Sequence, residues 1–297
     1  IKLDKMDETI AIYELAHAAT EGVKRPWTRK QIMIAGGVAA IAAVLLAIVA
    51  WPLFTREPQP RVAVLSLSAP DRELQGIAEG IAEDANSALE ASGVNTLARE
   101  GGHSDTPREQ LLERARAQGA PFALEGAVER VEHGARITVS VARTSDRAVL
   151  WSESLDGPIE SAAALRQRAA AHGVSAIACA LRAGAAAATD ACPLLLSACA
   201  RHEDRDARAQ NHEALSQAVA QAPDLALARA MLAAETASLL SAASEPQRQH
   251  LRAEAHANAE RALRQDSELG EGYLALARLE PRRRWDARER TLQQGLQ

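Results

Sequence analysis

The sequence predicts an α/β mixed-sheet sandwich plus an all-α array of helical repeats, preceded by one transmembrane helix. Three observations carry that expectation. Residues 31–54, QIMIAGGVAAIAAVLLAIVAWPLF, run for 24 positions without a charge. Between Arg61 and Arg182, Val- and Leu-rich runs and amphipathic stretches follow the order β-α-β-α, then three strand-like runs, then a helix. Beyond residue 191 the chain is rich in alanine, helical in period, and repeats itself at an offset of 44 residues.

The uncharged run is long enough to span a membrane, since about 20 apolar residues at a 1.5 Å rise cross roughly 30 Å of hydrocarbon. Trp27 stands on one flank and Trp51 and Phe54 on the other, as interfacial aromatic residues do. Lys24, Arg25, Arg29 and Lys30 precede the run, whereas Arg56 and Arg61 follow it, diluted by Glu57. The excess of cations on the amino side puts residues 1–30 in the cytoplasm and the rest outside, in a bacterial periplasm. The segments are therefore 1–16, the end of a cytoplasmic output domain; 17–30, a basic juxtamembrane stretch; 31–54, the membrane helix of an inner-membrane protein; and 55–60, a Pro-containing linker. A start at Ile1 rather than Met suggests a piece of a longer chain.

Charge and composition narrow the exported part. Residues 1–30 hold six of the 34 Lys and Arg but only five of the 39 Asp and Glu. The remainder is therefore acidic, which argues against nucleic acid as its partner. Four Trp, two Tyr and two Phe in 297 residues, against many alanines, point to closely packed small-residue helices rather than an aromatic ligand pocket.

Residues 61–182 form the first exported domain. RVAVLSLSA (61–69) reads as a buried strand. Leu74, Ile77, Ile81, Ala85 and Leu89 recur at three- and four-residue spacing and predict an amphipathic helix. VNTLAR (94–99) is a second strand, and residues 107–118 a helix with Pro107 in its first turn. PFALEGAVERV, ARITVSVART and AVLWSESL read as a meander turning at His133-Gly134 and Ser145-Asp146, and a helix runs from Ile159 to about Arg182. Residues 183–191, AGAAAATDA, read as a small-residue linker. In 192–297, AVAQAPDLALARAMLA (218–233) aligns with ALRQDSELGEGYLALA (262–277), with Pro223 at a helix-opening position.

Three resemblances follow from these stretches. RVAVLSLS…IAEGIAEDANSALEASGVNTLAR resembles the opening strand, helix and second strand of the TolB amino-terminal-like domain. FALEGAVERVEHGARITVSVARTSDRAVLWSESLDG is similar to its later part, with Leu124, Glu125, Gly126, Val128, Arg136, Ile137, Leu150, Trp151 and Glu153 in register. The tandem helices resemble tetratricopeptide-type units, and WDARE (285–289) resembles the start of a second helix in such a unit. The offset of 44 exceeds that family's usual period, and Met231 stands where it prefers a small residue. IKLDKMDETIAIYELA (1–16) resembles the last hairpin of class III adenylate/guanylate cyclase domains, with Asp4 in place of an expected glycine and none of that family's metal or purine contacts in these residues.

No catalytic, cofactor-binding or metal-ligating set emerges. GGHSD (101–105) puts His, Ser and Asp side by side, whereas triad residues are assembled by the fold, so a polar loop is the plainer reading. GIAEG (76–80) lacks the third glycine of a phosphate loop. Cys199, His202 and Glu203 lack a second tight ligand pair. The three cysteines, Cys179, Cys192 and Cys199, lie in the part assigned to the oxidising side. Cys192 and Cys199, seven apart, would stand about 10 Å apart within one helix, too far to bridge. Cys179 and Cys192 are the candidate pair, pinning one domain to the next; the other readings are buried or intermolecular thiols.

These expectations describe a single-pass membrane signalling protein. Its outer part binds a protein or peptide through the repeats and biases a cytoplasmic output domain, a class III cyclase by resemblance. The small residues around Gly36-Gly37 permit a homodimer through the membrane helix. The other readings are a membrane-bound winged-helix transcription regulator and a non-signalling envelope scaffold.

Overall fold

The computed structural model describes residues 61–97, 106–281 and 283–296. The expected cytoplasmic stub, juxtamembrane stretch, membrane helix and linker (1–60), and the GGHSD loop (101–105), lie outside the described residues.

The described residues open with β1 (Arg61–Val64), α1 (Arg72–Ala91), β2 (Asn95–Thr96) and α2 (Arg108–Ala117), as the pattern predicts. A meander follows: β3 (Phe122–Val131), β4 (Gly134–Arg143) and β5 (Val149–Gly157). The five strands form one mixed sheet in the order β2-β1-β3-β4-β5, parallel at β1 and antiparallel from β3 onward. β1 is shorter than the Val- and Leu-rich run. The chain continues along β3 only intermittently, with Leu65 N–H donating to Leu124 O at 2.8 Å and Ser68 N–H to Gly126 O at 3.1 Å. α1 begins where Asp71 accepts from Leu74 N–H at 3.0 Å, a side-chain cap on an orphan donor. At the β4–β5 turn, Asp146 grips the Arg143 guanidinium and accepts from Ala148 N–H, while Arg147 takes a positive φ of 64°. The Arg143 hydrogen bonds hold the Asp146 carboxyl down at about 2.

Alternation along the strands gives the sheet two unlike faces. Val62, Val64, Leu124, Val128, Ile137, Val139, Val141 and Trp151 point to one, where they pack with α1 and α3 (Ala162–Ala183), a helix entered through a 3-10 turn at Ile159–Ser161. Ala63, Ala123 and Ala142 point to the other, where Leu112 and Ala115 of α2 cover them. Gly173 lets α3 lie close on the sheet, for a Cβ there would stand 2.8 Å from Leu124 Cδ1.

The helical part continues with α4 (Cys192–Ala200), α5 (Arg208–Gln221), α6 (Ala226–Leu239), α7 (Glu245–Gln265), α8 (Gly270–Leu279) and α9 (Trp285–Gln294). The 44-residue offset reappears in the helix bounds. Gln221 and Gln265 end α5 and α7, Ala226 and Gly270 begin α6 and α8, and the equivalent Ala218 and Ala262 are both fully buried. Alanines line the inter-helix seams, as at Ala233, Ala234, Ala259 and Ala275. Residues 183–191 are an ordered connection: Gly184–Ala188 form a 3-10 helix, with Ala187 and Ala191 buried. A single apolar core runs from the sheet through α3 and α4 to Leu215, Leu227 and Met231.

Among the described residues, one helical stretch, Ile159–Ala188, is long and apolar enough to cross a membrane. Leu165, Ala169, Ala176, Ile177 and Ala180 of that stretch are buried in the core of the sandwich, which accounts for its apolar character.

Candidate functional site

A cleft of about 930 Å³ opens beside the carboxyl end of β1. β1 leads into α1 on one face of the sheet, whereas β2 leads toward α2 on the other. Where neighbouring connections part in this way, the sheet edge is left open as a crevice. Ser66, Ser68, Gln75, Glu79, Thr106, Arg108, Glu125, Thr138 and Ser140 contribute polar groups to it, and Leu65, Leu67 and Leu111 an apolar wall.

Its most ordered polar feature is the pair Arg108–Glu125. Arg108, the first residue of α2, donates from Nε and Nη2 to Glu125 on β3 at 2.7–2.9 Å, and from Nη2 to Arg147 O at 3.3 Å. The Glu125 hydrogen bond raises the Arg108 guanidinium further above its ordinary value. Gly126 follows on β3; a Cβ there would fall 2.2 Å from Thr138 O. Glycine thus keeps β3 against β4 at the floor of the cleft. Beyond it the uncovered face carries a hydroxyl ladder, with Thr138 to Ser154 at 2.9 Å and Ser140 to Ser152 at 2.8 Å. These groups supply hydrogen-bond donors and acceptors, and the described lining places no imidazole or thiol beside a hydroxyl.

A second polar cluster joins the sandwich to the helical part. His172 on α3 is buried, with Nδ1 2.8 Å from Glu153 on β5 and Nε2 3.4 Å from Asp204 in the turn after α4. Sequence reading did not single out His172, because its partners are brought to it only by the fold. His202 uses Nδ1 on Cys199 O at 2.9 Å. Among the described residues no group of three or more His, Cys, Asp and Glu stands ready for a metal. GIAEG lies inside α1, while His250 and His256 are exposed on α7 beside Glu254 and Glu260.

The cysteine pairing corrects the expectation. Cys179 bridges Cys199, with their Cα atoms 6.4 Å apart, and Cys192 is free and buried. The reason is the hairpin of α3 and α4. α4 turns back beside α3, so a residue inside α4, rather than the one that opens it, comes level with Cys179. Met231 lays its Sδ 3.4 Å from Cys199 Sγ, which accounts for a large side chain where a small one was expected. Burial pushes the Cys192 thiol up to about 11, against the pull of Arg143.

No family model matches the chain, and no curated protein matches it. Among solved structures it is similar to TolB from Acinetobacter baumannii, at 17% identity and a TM-score of 0.30, over 42% of this chain and 29% of that one. It is also similar to a dodecameric PelC variant from Paraburkholderia phytofirmans, at 21% identity and a TM-score of 0.28, over 37% of this chain and 83% of that one. The chain thus spans less than a third of TolB's length.

Proposed function

We propose that the described residues are the extracytoplasmic, protein-binding part of a single-pass inner-membrane signalling protein. In this reading the sandwich is a TolB-like module and the helix pairs are tetratricopeptide-type units. The observation that carries it is the Cys179–Cys199 bridge, since disulfides persist on the oxidising side of a membrane. That bridge also fastens the first helix of the repeat part to the last helix of the sandwich. Force on the repeats therefore passes into the sandwich without an intervening hinge. Stacked helix pairs present an extended surface suited to a protein or peptide, and a shift of that stack biases the membrane helix and, through it, a cytoplasmic output. A class III nucleotide cyclase is the output by resemblance of residues 1–16. A winged-helix regulator and an envelope scaffold are the competing readings.

Two measurements test this. A reporter enzyme that folds only outside the cytoplasm should be active when fused after Gln297 and inactive when fused after Glu21; the reverse pattern overturns the topology. Photo-crosslinkers at the exposed Gln249 and Ala253 of α7 should capture a defined partner in cells. Capture only from Ser152 and Ser154 would move the binding surface to the open sheet face. Production of a cyclic nucleotide by the intact protein decides between the cyclase and the two alternatives.

A further inference from the structure

At one rim of the helical array, where α6 and α8 end and α5, α7 and α9 begin, lies a second pocket of about 570 Å³. Its lining holds five arginines from four helices: Arg208 of α5, Arg248 and Arg252 of α7, Arg278 of α8 and Arg288 of α9. Glu280 is the carboxylate in that lining. Ala237, Leu240 and Pro281 supply an apolar patch, and Ser238 and Ser241 two hydroxyls.

Bonds to backbone carbonyls explain part of this cluster. Arg252 caps the end of α8 by donating from Nη1 to Leu279 O, where a cation near a helix's carboxyl end is favourable. Arg278 donates from Nη1 to Ala234 O within α6 at 3.0 Å, and Arg248 from Nη2 to Ala243 O in the α6–α7 connection at 2.9 Å. These bonds leave two features unexplained. A guanidinium carries five N–H donors, so Arg252 and Arg278 retain most of theirs after one such bond. Among the described residues Arg208 caps no carbonyl, and Arg288 lies 5.3 Å over the ring of Trp285. The lining itself sets one carboxylate, Glu280, against the five guanidinium groups. Glu245 engages Arg248 at 2.8 Å, and Glu235 on α6 attracts Arg208 and Arg278 from a buried position that pushes its own carboxyl up. Burial and the neighbouring Arg208 hold the Arg278 guanidinium below its ordinary value, against the pull of Glu235. Like charges held this close gain from a ligand of opposite sign.

We propose that this rim pocket binds a multiply charged phosphate group, held by Arg208, Arg252, Arg278 and Arg288. The planar fork of arginine matches phosphate oxygens two at a time. The volume exceeds that of one phosphate and lies in the range of small-molecule sites, and the apolar patch suits an organic portion. Arg283 and Arg284, exposed two and three residues beyond Pro281, add positive charge to this stretch of the chain. A soluble phosphate ester and the headgroup of an anionic lipid share this chemistry.

The test titrates inorganic pyrophosphate into the detergent-solubilised full chain, read by calorimetry and tryptophan emission. Saturable binding that weakens as salt rises is expected, with an emission change lost in Trp285→Phe because Arg288 leaves its ring. Arg208→Gln and Arg288→Gln, neither of which uncaps a helix, should each weaken binding by about tenfold. Arg264→Gln, exposed elsewhere on α7, should not. No heat at about 1 mM pyrophosphate in low salt, or affinity unchanged in both rim variants, overturns the proposal. Titration of the same solubilised chain with detergent micelles doped with phosphatidylglycerol or with phosphatidylcholine, read by tryptophan emission, separates the sources. An emission change with the anionic lipid alone that is lost in Arg208→Gln assigns a headgroup, and pyrophosphate binding without it assigns a soluble ester.

Discussion

Arg182 and Glu271, 89 residues apart, hold each other through two parallel hydrogen bonds of 2.5 and 2.6 Å. Arg182 stands at the end of α3, the last helix of the sandwich, and Glu271 in the first turn of α8, in the second helix pair. The bond therefore ties the far repeat back to the sandwich in addition to the disulfide.

Glu271→Gln should cost about 1 kcal/mol of stability at neutral pH, the lower end for a charge-assisted pair because Arg182 is half-exposed. Burial pushes the Glu271 carboxyl up, but the Arg182 hydrogen bond and charge outweigh it and hold it below the ordinary value. A depressed carboxylate stabilises above its unfolded pKa, about 4.3, and that contribution vanishes as pH falls through the folded value. Unfolding of the wild type and the variant should thus differ at pH 7 and converge toward pH 3. A difference that persists at acid pH would refute the ionic origin.

Non-reducing peptide mapping should return Cys179 joined to Cys199, with Cys192 as the free thiol. Closing a loop of 20 residues stabilises by about 3 kcal/mol in the chain-entropy account, so Cys199→Ser should lower the unfolding free energy by about that much. Cys192→Ser should leave the bridge intact. The Cys192 thiol, raised to about 11 by burial, should resist alkylation until the protein unfolds.

Gly126→Ala should destabilise by about 1–3 kcal/mol or more, because the added Cβ meets the Thr138 backbone rather than a side chain that can move. Chemical denaturation measures it. Gly76→Ala on α1, where a Cβ meets nothing within 4 Å, should be neutral or stabilising by a few tenths of a kcal/mol.

His172→Ala should cost about 2 kcal/mol, since it leaves Glu153 half-buried without its 2.8 Å partner. His172→Gln, which restores a donor, should recover part of that loss. Equal losses in the two variants would assign the role of His172 to packing alone.

Periodicity made the order of elements legible, because each depends on its own residues. Leu74, Ile81, Ala85 and Leu89 face one side of α1, and the equivalence of Ala218 with Ala262 reappears in the helix bounds. What was not legible depends on contacts between distant segments. Cys199 displaced Cys192 as the partner of Cys179 because of how tightly α4 folds back, and a 3-10 turn of alanines carries no pattern that states this. His172 is one of many residues on a long helix until β5 and the Asp204 turn reach it. The arginines of the rim lie as much as 80 positions apart, each an ordinary surface residue in its own helix. Arg108–Glu125 could be approached from sequence only at Glu125, through the resemblance of its strand.

The core that α3 and α4 share bears on how such proteins recombine. A cut at residues 183–191, the natural place to separate two modules by composition, would strip cover from Leu195 and Leu196, which are fully buried. A chimaera joined there inherits an exposed apolar seam on both fragments. A cut farther along, between α6 and α7, would open a second seam, since Ala233, Ala234, Ala237 and Leu240 pack there against Ala255 and Ala259 of α7. Lineages carrying this arrangement should therefore inherit the sandwich and the array helices α4 to α8 as one cassette.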